Sequence, residues 1–215
     1  LYQHCLKETY MANINAAFGL RPYERSGSNY NNQGVNAYPI NIEGMSDGTT
    51  SKIWTGSAVI PLGSGLIDIV GAAAGGTVPL LGVFMGCKYT ALDGTPAWSA
   101  HFPGYAAIKA QTEATAFIAD NPDALFVINA DGALPDADRF SNMNFATMIT
   151  GNDTSGYSLG ELDVSTTAVT ATLNTKVIAF DDQASTASGS VDKTVAGRLA
   201  VVRLNVHFMD SLLGI

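Results

Sequence analysis

Between Ile53 and Tyr105 the apolar positions come in short runs, and none reaches helical length before a breaker interrupts it. The runs are Ile53-Trp54, Ala58-Val59-Ile60-Pro61-Leu62, Leu66-Ile67-Asp68-Ile69-Val70 and Val78-Pro79-Leu80-Leu81-Gly82-Val83-Phe84-Met85. Short apolar runs bounded by Gly, Pro and Ser predict small, closely connected strands. Ala37–Ile42 reads as an earlier strand, and Leu92-Asp93-Gly94-Thr95 places a hairpin turn after a strand over Cys87–Thr90. Residues 106–119 alternate imperfectly and predict two strands, or one strand with a short turn at Glu113. Asn121-Pro122-Asp123 predicts a turn ahead of Leu125–Ile128, the most strand-like run in the chain. Ser165–Leu173 and Val177–Phe180 predict further strands, and Arg198–Phe208 a long closing one. In the closing strand Leu199, Val201, Arg203, Asn205 and His207 share one face, while Val202, Leu204, Val206 and Phe208 share the other, which is expected inward. Phe145, Met148 and Ile149 fall at helical spacing and predict a short helix within Ser141–Asn152. The expected fold is all-β: a compact β-barrel or β-sandwich of short antiparallel strands, with at most one or two short helices.

From Gly19 to Gly34 the composition shifts to Gly, Ser, Asn and Tyr, with too few apolar side chains to build a core. Residues 1–35 are therefore expected to form an extended N-terminal arm, and residues 36–215 a single β-rich domain. Phe18, Leu20, Arg21, Pro22, Tyr23 and Tyr30 are spaced along the arm as anchors for a neighbouring subunit, the alternative being a flexible or self-docked arm. Met11 opens a stretch that reads as a natural start, so Leu1–Tyr10 is expected to be an upstream extension.

Composition narrows the function classes. Charged residues make up 14% of the chain, against roughly 25% in a typical globular protein. Neutral polar groups take their place, which suits packed assemblies, where each unpaired charge is costly to desolvate. The net charge of −8, with 11 scattered basic residues, argues against a nucleic-acid grip, which needs clustered Lys and Arg. The first ten residues lack the apolar stretch of about 7–15 residues that a secretory signal needs. The most apolar region carries Asp68 with repeated Gly and Pro, so no membrane span is expected.

The residues that carry chemistry are sparse. Cys5 and Cys87 are expected to be idle thiols, and the three histidines, His4, His101 and His207, show no metal-ligand spacing. No Gly-x-Ser-x-Gly elbow is present, and Gly71–Thr77 lacks the Lys and Ser/Thr of a phosphate loop, reading instead as a hairpin loop. Asp131–Asp138 gathers three carboxylates without calcium-loop spacing and is expected to be a solvated acidic loop. Trp98, His101, Phe102 and Tyr105 surround Pro103-Gly104 and are expected to cluster as an aromatic plug or platform. No enzyme activity and no cofactor is expected.

Three segments carry a resemblance. Ala12-Asn-Ile-Asn-Ala-Ala-Phe-Gly-Leu-Arg-Pro22, Gly82-Val-Phe-Met-Gly-Cys-Lys-Tyr89 and Phe102-Pro103-Gly104 are similar to elements of a family of small virion proteins of marine tailed bacteriophages, over roughly residues 12–130. The resemblance implies a structural role as a capsid decoration or cement protein that binds and stabilises neighbouring major capsid subunits. It is expected on the capsid surface of the virion after synthesis in the host cytoplasm. The implied partners are the major capsid protein and copies of itself, as a homotrimer, with no nucleic acid or membrane. Contact candidates are the arm residues named above with Trp98, Phe102 and Tyr105. A tail- or fibre-associated virion protein and a carbohydrate-binding β-module are the alternatives.

Overall fold

The computed structural model describes residues 13–25, 34–42, 52–71, 78–110, 112–182 and 191–210. Two six-stranded antiparallel sheets face each other as a sandwich, and neither closes into a barrel. Of the two architectures the hydrophobic pattern allowed, the sandwich is the one formed.

The first sheet contains β1 (Arg21–Arg25), β10 (Ala124–Asn129), β11 (Asn142–Ala146), β14 (Glu161–Ala168), β15 (Thr175–Phe180) and β16 (Leu199–Leu204), in the spatial order β1-β10-β16-β15-β11-β14. The second runs β2-β9-β6-β4-β5, from β2 (Asn36–Pro39), β9 (Thr115–Ala119), β6 (Gly82–Thr90), β4 (Ala58–Pro61) and β5 (Ile67–Ile69). A further strand, β7 (Pro96–Ser99), pairs with the far half of β6. Two ribbons complete the fold: β3 (Ile53–Trp54) with β8 (His101–Phe102), and β12 (Gly151–Asn152) with β13 (Tyr157–Ser158).

Strand alternation divides the buried side chains into two cores. Phe126, Ile128, Val177, Val202 and Leu204 of the first sheet meet Ala58, Val83 and Ala119 of the second. On the opposite face of the second sheet, Val59, Phe84, Cys87 and Ile118 pack beneath Ile53, Trp54 and Phe102 from the β3–β8 ribbon. Strands β4 and β6 are thus apolar on both faces, and their sequences are short continuous apolar runs rather than alternating ones.

The hairpin after β6 forms as its sequence predicts. Ala91 N–H donates to Thr95 O at 2.9 Å, Asp93 Oδ1 accepts from Thr95 N–H at 2.9 Å, and Gly94 takes φ +90°. The Asn121–Ala124 turn also forms, with Ala124 N–H donating to Asn121 O at 3.0 Å.

Other expectations are corrected. No helix covers Ser141–Asn152: Asn142–Ala146 is strand β11, which turns Met143 into the inter-sheet core, while Asn142, paired with Lys176, is buried on the other face and donates to Thr170 O at 2.9 Å. Helical geometry at Tyr105–Ala107, Asp136–Asp138 and Phe208–Asp210 is limited to single 3-10 turns. Residues 106–119 hold one such turn and one strand. The Thr- and Val-rich strand is Glu161–Ala168, displaced toward the N-terminus from the expected 165–173. The closing strand stops at Leu204. Beyond it Val206 O accepts from Leu80 N–H at 2.8 Å, so the chain crosses to the second sheet, where Phe208 packs on the second core and His207 is buried.

The described part of the arm belongs to the sandwich. Leu20 is 1% exposed in the inter-sheet core, and β1 adds itself to the edge of β10. Gly19 takes φ +72° where a Cβ would lie 2.6 Å from Gly56 O, so the tight entry of the arm requires glycine. Upstream, Asn13 Nδ2 donates to Asp192 O at 2.7 Å and Ala196 O at 3.1 Å, and Asn13 Oδ1 accepts from Asp192 N–H at 3.0 Å. Ile14, Ala16 and Phe18 line a hollow with Val127 and Leu199, on the face of the first sheet turned away from the inter-sheet core. Leu1–Tyr10, Tyr30, the Gly44–Thr50 loop and residues 72–77 lie outside the described residues.

A buried cation fixes one end of the first sheet. Arg198, 0% exposed, grips Asp182 Oδ1 at 2.7 Å and Oδ2 at 2.9 Å, donates to Asp136 Oδ1 at 2.8 Å and Leu134 O at 2.7 Å, and lies 3.7 Å over the Phe180 ring. Lys193 reaches the other oxygen of Asp136 at 2.6 Å. Asp136 is thus part of a structural clamp, and the loop expected to be merely solvated has a packing role.

Arg198→Met, which keeps length and removes charge, is expected to cost about 3 kcal/mol in urea unfolding, the low end for removing one partner of a buried pair because both carboxylates keep water access. Hydrogen bonds from Lys193 and Arg198 lower the Asp136 pKa from 3.8 to about 2. A depressed carboxylate stabilises the fold above its unfolded value, so this contribution is complete above about pH 4 and is lost as pH falls toward 2. Asp136→Asn is expected to lessen the fall in melting temperature across that window in thermal scans, the remaining fall coming from Asp93, Asp153 and Asp192, which hydrogen bonds also lower. Gly19→Ala is expected to release the arm, read as new proteolytic cleavage between residues 13 and 25 in a chain whose sandwich remains protected.

Candidate functional site

Two aromatic surfaces are built by different elements. The first lies where the arm enters the sandwich. Gly19 N–H donates to Gly160 O at 3.1 Å and Leu20 N–H to Gly56 O at 2.8 Å, seating the arm between the β12–β13 ribbon and the turn before β4. The Arg21 guanidinium then lies 4.1 Å over the Phe18 ring and 5.9 Å from the Tyr157 ring. Pro22, Thr55 and Met85 complete the wall of a shallow cleft of about 440 Å³. Pro22 stands opposite Phe126 on an edge strand, where its missing N–H costs no ladder bond. The register then slips between Pro22 and Glu24, a bulge that leaves Tyr23 43% exposed. Of the arm's expected contacts, Arg21 and Tyr23 offer surface, Phe18 and Pro22 are half-buried, and Leu20 is a core residue.

The second surface divides the aromatic cluster expected around Pro103-Gly104. Phe102 pairs with Ile53 and turns inward to 1% exposure, with the Tyr89 ring edge-on at 6.4 Å. It fills the second core and presents no surface to a partner. Trp98, on β7, points to the other side of the sheet, 71% exposed and stacked on Phe117 with ring centroids 5.5 Å apart and planes 4° from parallel. Tyr105 is 45% exposed in its 3-10 turn. The partner of Trp98 is therefore Phe117, which sequence reading placed in a strand without a role. Its signal was the period-two alternation Thr115, Phe117, Ala119 on the face that β9 shares with β6 and β7.

The ionisable groups have structural occupations. Asp120 accepts from Asn36 Nδ2 at 2.9 Å and from the Tyr38 hydroxyl, tying β2 to the end of β9. Burial, then this hydrogen bond, raises the Tyr38 pKa to about 12. Asp68 takes Ile69 N–H at 2.7 Å and Asn41 Nδ2 at 3.1 Å. Asp131 accepts Val164 N–H at 3.0 Å. Among the described residues, no group of three or more His, Cys, Asp or Glu is placed to hold a metal ion.

Ser99, His101 and Asp153 lie near one another but are not aligned for proton relay. Ser99 Oγ accepts the backbone N–H of His101 at 3.2 Å and is 3.5 Å from its Nδ1, while Asp153 gives its oxygens to Lys52 at 2.6 Å and Trp54 Nε1 at 3.0 Å. His207 is buried, its pKa lowered by burial, and its Nδ1 accepts Met209 N–H at 3.1 Å. Burial raises the Cys87 thiol to about 12, so little thiolate forms near neutrality. Cys5 and His4 lie outside the described residues.

Comparison with known proteins returns no match among family models, curated proteins or solved structures.

In a Cys5→Ser variant, Cys87 is expected to stay unreactive toward a disulfide reagent at pH 8 and to titrate fully in denaturant. Acrylamide is expected to quench the emission of Trp98 and to leave that of Trp54, which is 8% exposed, so Trp98→Phe removes the quenchable component.

Proposed function

We propose that the protein is a phage virion structural protein, a capsid decoration protein that binds neighbouring major capsid subunits and works without turnover. The observation that carries this reading is the kind of surface the sandwich offers. Trp98, Phe140, Leu92 and Val169 are 71, 68, 67 and 93% exposed on a chain whose charged fraction is 14%. Each such group that a partner covers contributes burial free energy, with little desolvation of charge to offset on so charge-poor a chain. Phe140 also holds φ +72°, a conformation a bulky residue adopts at a local cost, and its ring projects outward at the entrance to β11. The segments similar to small virion proteins of marine tailed bacteriophages, 12–22, 82–89 and 102–104, support the same reading from the sequence side.

In this reading each copy covers a seam between shell subunits, and a standard interface of about 1,600 Å² holds it there. A homotrimer matches three-fold positions of a shell, because cyclic symmetry repeats the same contacts around the axis. The acidic excess complements basic patches on the subunits beneath.

Quantitative mass spectrometry of purified particles is the direct test, with hundreds of copies per particle expected. A few copies per particle places the protein on the tail or fibre, and its absence from particles overturns the virion assignment. Sedimentation of the isolated protein is expected near 67 kDa, three times the 22.4 kDa chain, and Phe140→Ser is expected to lower occupancy on particles severalfold without changing the unfolding midpoint by more than a few tenths of a molar in urea.

A further inference from the structure

The two sheets do not cover each other completely. Val83 and Ala119 are opposite one another in the second sheet and lie in the inter-sheet core. The same sheet face continues along β9 through Phe117 and Thr115, which are half-buried, and across to Lys88 and Trp98, which are exposed. Lys88 stands opposite both Thr115 and Trp98, so the three side chains form one row on the open face. Two residues along β6, Gly86 presents no side chain between β7 and β9. On this open face the Trp98 ring stacks on Phe117.

We propose that the hollow beside Trp98 is a binding site for a neutral carbohydrate, with one pyranose ring lying flat on the indole. The hollow, about 260 Å³, is lined by Trp98, Lys88, Thr115, Glu113 and Pro96 among others, and Phe117 is not part of its wall. Phe117 backs the indole from its own side and fixes the ring plane, so little side-chain freedom remains to be lost when a ligand stacks. A flat apolar surface beside a few polar groups is the chemistry of a sugar site, since a pyranose has an apolar C–H face rimmed by hydroxyls.

The polar groups also select the ligand. Lys88 supplies donors, Glu113 supplies acceptors and Thr115 supplies both, and each sugar hydroxyl donates and accepts. Neither the Lys88 ammonium nor the Glu113 carboxylate has an ion-pair or hydrogen-bond partner among the described residues. The two opposite charges cancel across the hollow, so a charged ligand gains from one and is repelled by the other, whereas a neutral polyhydroxylated one uses both. The site differs from the platform expected from sequence: Phe102 is turned into the core, and Phe117 supports the indole in its place. It assigns Trp98 to a sugar rather than to a shell subunit, and leaves Phe140, Leu92 and Val169 as the exposed apolar surface on which the virion reading rests.

The test titrates the full chain with maltohexaose, cellohexaose and chitohexaose, followed by tryptophan emission and calorimetry. At least one is expected to bind and shift the emission of Trp98, with Trp54 silent in the core. Trp98→Ala is expected to weaken that binding at least tenfold, Glu113→Gln and Phe117→Leu several-fold, with far-UV dichroism unchanged for the two surface variants Trp98→Ala and Glu113→Gln. Failure of all three oligosaccharides to bind, or equal binding by Trp98→Ala, overturns the proposal. So does a Trp98→Ala protein that is depleted from particles while no oligosaccharide binds the parent, an outcome that gives the indole to a protein contact instead.

Discussion

The second sheet has to be apolar on both faces, and the rest of the architecture follows from that requirement. At β4 and β6 one face meets the first sheet and the other meets the β3–β8 ribbon, so successive residues Ala58 and Val59, or Val83 and Phe84, serve different cores. A pair of sheets alone would leave Phe84, Cys87 and Ile118 open to water. The ribbon, with Trp54 anchored to Asp153 and Gly151 packed against its indole, is what closes that side. Each large side chain buried this way contributes about 2–3 kcal/mol of burial free energy, enough to make the thin cover indispensable. The other face loses its cover where β6 runs on into the hairpin with β7, beyond the reach of the first sheet, and there the face carrying Val83 and Ala119 becomes surface.

The first sheet obeys a different constraint. Its strands come from both ends of the described chain, so its integrity depends on polar clasps that hold distant segments in register. Asn13 ties the arm to the 192–196 turn, and Arg198 gathers Leu134, Asp136 and Asp182 at one end of β16. Asn129 Nδ2 meets both Asn15 Oδ1 at 2.9 Å and Glu161 Oε1 at 2.8 Å beneath the arm. These groups are partly desolvated, and their worth lies in specifying where segments sit as much as in net stabilisation.

Much of the strand content was legible because burial on a pleated sheet leaves a period in the residues. Val202 and Leu204 point inward as alternation requires, and the Asp93-Gly94 and Asn121-Pro122 turns follow from local chemistry alone. The failures have physical causes too. At Phe145, Met148 and Ile149 the spacing mimics a helix because a strand and the turn after it happen to bury Met143 and Met148 in the same core. The arm looked unable to build a core because a single residue, Leu20, does the burying while polar side chains do the docking. Trp98 was visible as an aromatic, but its neighbour was not. The nearest aromatic in sequence, Phe102, is separated from it by a change of strand, and only the pairing of β7 and β9 on either side of β6 brings Phe117 to it.

The order of strands in the first sheet also dictates when it can exist. Arg21 lies opposite Val127, and Val127 opposite Val201, so β1 waits for β10, and β10 in turn has a neighbour, β16, that follows it by some seventy residues. The second sheet, whose members fall between Asn36 and Ala119, has all its strands while the first is still missing most of its own. On the ribosome the nascent chain therefore carries one finished layer whose inner side has no mate, and the arm has no edge to join. Such a topology, rich in distant pairings, folds slowly and exposes sticky surface meanwhile. Until β16 follows, that uncovered layer is where the connectivity leaves the chain open to aggregation.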